Sequence, residues 1–149
     1  MLFRSIRDAV LNVARYDVFQ LTESLLAGDL ARFNRMVDGL QGEGEPLVLV
    51  LWSVTEEVRL LNRLRQGVDQ GDNLAMLLKM NRVWGNKERL IPQALQRLNA
   101  DRLQKALTVL SGLDKQSKGL SIRKGDGPIL EKLPSEPWDG LRMLGRLFV

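Results

Sequence analysis

Cysteine and histidine are both absent from the 149 residues, and aromatic side chains are few: one tyrosine, four phenylalanines and three tryptophans. Without thiols or imidazoles there is no disulfide framework, no Cys- or His-based metal site, no cysteine nucleophile and no Ser-His-Asp arrangement. A phosphate-cradling loop is missing as well. Such a loop needs Lys-Ser/Thr after its glycines, and Gly125-Asp126-Gly127-Pro128 has no such pair behind it, so it reads as a turn. Glu56 and Glu57 form the one obvious carboxylate pair, but adjacent helical side chains diverge by about 100° and do not converge on an ion. Local pairing with Arg59 and Arg63 is their expected role. No catalytic residue, cofactor or metal site is therefore expected. No segment is apolar enough to span a bilayer or to resemble a signal peptide, and together with the lack of cysteine this points to a cytoplasmic protein.

What is present is a chain with 44% hydrophobic residues, long enough to bury the core of one domain. The net charge of +4 is modest, but it is unevenly spread. Residues 1–58 hold 5 basic and 9 acidic side chains, residues 59–105 hold 10 and 4, and residues 106–149 hold 7 and 5. The middle third is basic, which suits either a solvated helical surface or a face turned to nucleic acid or an acidic partner.

The periodicity is helical throughout. Ile6, Val10 and Val13 suggest a short helix over 5–14, too short to stand alone. Asp17 is placed to cap a helix carrying Phe19, Leu21, Leu25 and Leu26 up to Gly28. Asp29 is placed to cap the next, with the stripe Leu30, Phe33, Val37 and Leu40. Pro46 opens a long helix from Leu47 to about Leu64. This helix is apolar at 47, 50, 51, 54, 58 and 61 and again at 49, 52, 60 and 64, a stripe wide enough to predict burial on more than one face. Asp72-Asn73 suits the cap of a short helix ending before a connector with Trp84. Residues 86–98 follow as a helix in which Pro92 predicts a kink or a late start.

Asn99 suits the cap of a helix with the stripe Leu103, Ala106, Leu107, Leu110 and Leu113, of which Leu107 and Leu110 are the expected anchors. Glycines and prolines over 119–137 predict a long, partly disordered loop. A last helix over 138–148 is expected to dock through Trp138. Trp52, Trp84 and Trp138 are each expected to anchor the core, since a large ring buries much area and its one N–H is easily satisfied. The fold class is all-α, a single bundle of six or seven helices.

Arg82-Val83-Trp84 ahead of a basic helix, Ala94-Leu95-Gln96-Arg97-Leu98, the leucine-rich helix from Leu103, Leu113-Asp114 with Lys118-Gly119, and Pro137-Trp138-Asp139 follow one another in a telling order. With the opening Tyr16-Asp17-Val18-Phe19-Gln20-Leu21, Leu25, Ala27 and Gly28, the chain resembles the C-terminal part of the delta subunit of the bacterial DNA polymerase III clamp loader. The resemblance covers residues 5–149. It implies a helical collar that joins subunits in a ring, with residues 1–16 as the tail of a preceding lid domain or a linker helix and residues 17–149 as the collar.

The partners it implies are the other clamp-loader subunits, gamma/tau and delta prime, and primed DNA reached through the assembled complex. The sliding clamp would be gripped only by an N-terminal domain missing here, and no membrane is involved. On this reading the chain is not an enzyme, although the parent holoenzyme is a DNA-directed DNA polymerase. One departure stands out: Leu120 to Glu136 intervenes where the family passes from Lys-Gly to Pro-Trp in a few residues. Some members place an aromatic ring there against primed DNA, and residues 120–137 contain none. Arg123, Lys124 and Lys132 are the residues left to meet phosphates. The competing reading is a free-standing helical DNA-binding protein that uses the basic middle third.

Overall fold

The computed structural model describes residues 18–149, and every regular element among them is a helix. The chain runs through α1 (18–27), α2 (Leu30–Gly42), α3 (Leu47–Asp69), α4 (Leu74–Met80), α5 (Asn86–Arg97), α6 (Ala100–Ser117), α7 (Pro128–Glu131) and α8 (Pro137–Gly145), and ends in a 3-10 turn (Arg146–Phe148). This is the expected all-α bundle. The proposed cap Asp17 and the short helix over 5–14 lie outside the described residues.

Three of the expected caps form. Asp29 accepts from the Arg32 N–H at 3.1 Å, Asn73 from Met76 at 3.1 Å and Asn99 from Arg102 at 2.8 Å, each satisfying a donor that the helix itself leaves unpaired. Pro137 occupies the first turn of α8, where its missing N–H costs nothing, and the Glu136 carboxylate accepts from the Trp138 N–H.

The core is organised by α3 and α6, which pack most extensively on each other. α3 contributes Val50, Leu51, Val54, Val58, Leu61 and Leu64, and α6 contributes Leu103, Ala106, Val109, Leu110 and Leu113. Phe33, Val37 and Leu40 of α2 and Leu141 and Leu144 of α8 close against this pair, and Leu21, Leu25 and Leu26 of α1 are fully buried. Arg142 ties α8 to α2 by donating to Asp38 at 2.6 and 2.9 Å.

Several expectations change. Leu110 is buried as expected, but Leu107 is only half-buried, because the inward face of α6 turns through Val109 instead. Pro92 causes no late start. α5 runs from Asn86 through it, and the carbonyl of Glu88, deprived of its N–H partner, belongs to an exposed residue that water can serve. The segment 119–137 contains α7 and packs on α6: a Cβ at Gly112 would lie 2.5 Å from a Leu133 methyl and 2.6 Å from a Leu130 methyl. Gly112 is thus the notch that lets Leu130 and Leu133 seat against the helix. The turn at 125–128 holds, with Gly125 and Gly127 at φ of 100° and 111° and the Gly125 N–H donating to Glu131 at 2.7 Å.

Candidate subunit interface

Two of the three tryptophans expected in the core are outside it. Trp52 is 67% exposed and Trp84 is 78% exposed, while Trp138 is half-buried and packs on the core as expected. The correction has a geometric cause. On α3, positions 50, 51, 54, 58, 61 and 64 face α6, and positions 48, 49 and 52 fall on the opposite side of the same helix. Val48 and Leu49 are exposed there with Trp52, so the expected second buried face is open at its N-terminal end. Further along that outward face, Glu56 pairs with Arg59 at 3.2 Å and Arg63 is exposed. One helix therefore presents an apolar turn followed by charged turns.

A second apolar group lies on α4 and the connector after it. Met76 and Met80, four residues apart, share the outer face of α4, and Trp84 follows, with Arg82 at φ 55° turning the chain between them. Asn81 and Arg82 end α4, and Val83 packs inward while Trp84 is turned out. Apolar residues scattered singly are normal on a protein surface, but grouped large ones signal contact with another molecule.

The basic middle third is largely engaged in holding the fold. Arg65 donates to the Leu95 carbonyl at 2.6 Å and pairs with Asp69 at 3.0 Å, serving the C-terminal end of α5. Arg97 donates to the carbonyls of Leu26 at 2.7 Å and Phe148 at 3.3 Å, joining α1, α5 and the chain's last turn. Arg102 donates to the Val149 carbonyl, and Lys105 pairs with Asp101.

Lys87 pairs with Glu57 at 2.8 Å and stands 5.1 Å from the centre of the Phe19 ring. Glu57 is buried at 6% exposure, so the expected local pair with Arg63 is replaced by a tertiary one; its second carboxylate oxygen has no hydrogen-bond partner among the described residues. Arg63, Lys79, Arg82 and Arg89 remain without an ion pair among the described residues.

The three basic residues expected near phosphates do not form one patch. Arg123 and Lys124 line an open groove of about 610 Å³ with Gln116, Leu120 and Glu131, and the Arg123 N–H is held by Asp126 at 2.7 Å. Lys132 lines a different groove with Lys105 and Arg146. No group of acidic residues among the described ones is arranged to hold a metal ion, and no helix of the described residues is long and apolar enough to cross a membrane.

A family model described as the processivity clamp loader gamma complex DNA pol III C-term matches residues 18–124, from the start of α1 through α6 into the loop before α7. The chain belongs to this clamp-loader family. It is also 30% identical over 121 residues to DNA polymerase III subunit delta of Escherichia coli (strain K12), a match covering 78% of this chain and 35% of that relative. The chain thus spans about a third of the length of the curated relative it matches. Both exposed apolar groups, on α3 and on α4 with its connector, fall inside the family match, whereas α7 and α8 lie beyond it.

Proposed function

We propose that this chain is the collar of a clamp-loader delta subunit, a non-catalytic domain that joins sister subunits in DNA replication. The observation that carries the reading is the exposed turn Val48, Leu49 and Trp52 on a helix whose other face forms the core. A tryptophan buried at the centre of an interface is a hot-spot residue, worth about 2 kcal/mol or more on truncation. The charged turns beyond it suit a polar rim. The partners are the gamma/tau and delta prime subunits, in the cytoplasm. The sliding clamp is gripped by a domain outside this sequence, and primed DNA is met through the assembled complex. Co-elution of the chain with those subunits on a sizing column tests the reading; a chain that always elutes alone would overturn it.

A second reading is favoured by Trp84, exposed on the connector that also carries Arg82, with Arg89 in the first turn of α5 after it; neither arginine has an ion pair among the described residues. An exposed ring with cations beside it is the minimum for stacking on a single-stranded base. Arg123 and Lys124, exposed on their loop, would add phosphate contacts. Binding of a labelled single strand by the isolated chain at ordinary ionic strength, lost as salt rises, is the result that this reading requires.

A further inference from the structure

The groove between α6, α7 and the chain's last turns combines two properties found together at no other site described above. Its floor is apolar, made by Val109, Ile129, Met143 and Leu147, and its rim carries Lys105, Lys132 and Arg146 with no acidic side chain among the lining residues. Lys105 is held by Asp101 at 3.0 Å, while Lys132 and Arg146 are exposed and have no ion-pair partner among the described residues. The cavity measures about 240 Å³. That is below the roughly 300–1,000 Å³ of a site that engulfs a small molecule, and it suits one or two anchoring side chains.

The chemistry of floor and rim selects the occupant. A nucleic-acid strand would satisfy the cations but finds no aromatic ring to stack on, and it would set polar sugar and phosphate against an apolar floor. A peptide that alternates apolar and acidic side chains matches both parts, filling the floor and placing carboxylates on the rim. We propose that this groove docks a short acidic segment of a partner protein, anchored by one or two aliphatic or aromatic side chains and held by Lys132, Arg146 and Lys105. The groove is built from elements other than those carrying Val48, Leu49 and Trp52, so the proposal goes beyond the assembly reading and does not depend on it.

The test is a titration of a labelled peptide alternating Leu or Phe with Asp or Glu. It is run beside the same peptide with lysine in place of each acid and beside a labelled single strand of DNA. The acidic peptide is expected to bind saturably, more weakly as salt rises, and to shift the methyl resonances of Val109, Ile129, Met143 and Leu147. Reversing the two exposed cations together, Lys132→Glu with Arg146→Glu, should weaken binding about tenfold while the unfolding midpoint stays in place. No saturable binding, indifference to the reversal, resonance shifts elsewhere, or a single strand bound more tightly than the peptide would each overturn the proposal. So would failure of the double variant to join the sister subunits, which would make the groove a subunit interface. Peptide binding that survives loss of assembly through Trp52 would separate this site from the collar reading.

Discussion

The guanidinium of Arg97 donates to the carbonyl of Leu26 over 2.7 Å, across 71 positions of sequence, where α1 ends. The same side chain reaches Phe148, so one residue fastens the first described helix, α5 and the C-terminal turn. Helix ends leave carbonyls unpaired and partly negative, and a cation there both satisfies and stabilises them. Arg97→Ala is expected to destabilise by about 1.5 to 3 kcal/mol, the range for a charged hydrogen bond. Arg97→Lys should recover only part of that, because an ammonium cannot reproduce the planar fork. Denaturant midpoints check both; an Ala variant as stable as the wild type would contradict the fastening role.

Lys87 and Glu57 give a second stability test. Lys87→Met leaves a buried carboxylate without its cation and should cost about 2 to 3 kcal/mol, below the cost for a fully buried pair since the Lys87 side chain is partly exposed. The double variant Lys87→Met with Glu57→Leu should recover most of the loss. A double variant less stable than Lys87→Met would contradict this, because the loss would then not come from the carboxylate left without its cation.

Gly112 and Leu110 test the packing of α6. Leu110→Ala should cost about 2 to 5 kcal/mol, and Leu107→Ala about 1 kcal/mol in keeping with its half exposure. Gly112→Ala should be nearly neutral, because Leu130 and Leu133 meet it with movable methyls and alanine favours the helix. Gly112→Val should lose about 1 to 3 kcal/mol by displacing α7. Limited proteolysis would then cut first between residues 119 and 137. A Val variant that resists cleavage there as the wild type does would mean that α7 is not seated on the notch.

Much of this architecture is legible in residue types. Asp29, Asn73 and Asn99 announce their helices because a short oxygen-bearing side chain before an apolar stripe has a local task, fulfilled without help from the rest of the chain. The stripe Phe33, Val37 and Leu40 is equally local. What is not legible depends on tertiary neighbours. Trp52 and Trp84 look like core residues because residue type alone does not say whether a large apolar side chain ends inside the fold or on its surface. Gly112 looks like a weak point of α6 until Leu130 and Leu133 are seen resting on it. The basic middle third suggests a nucleic-acid face, yet Arg65, Arg97 and Lys87 are occupied inside the fold.

The residual cations give a direct prediction for DNA. If the isolated chain binds a single strand through its connector, Trp84→Ala should weaken binding by about 1 to 3 kcal/mol. Arg82→Ala with Arg89→Ala should lower the salt dependence by about two phosphate contacts. Fluorescence anisotropy at several salt concentrations checks it, and unchanged slopes would remove these residues from any DNA contact.

The most direct test of the collar reading is sizing-column assembly of Leu49→Asp with Trp52→Asp, beside the wild-type chain, in the presence of the gamma/tau and delta prime subunits. Both side chains are exposed, so the free energy of unfolding should stay within about 0.5 kcal/mol of the wild type. The wild type is expected to elute with the subunits and the folded variant to elute alone. A variant that assembles as well as the wild type would contradict the account.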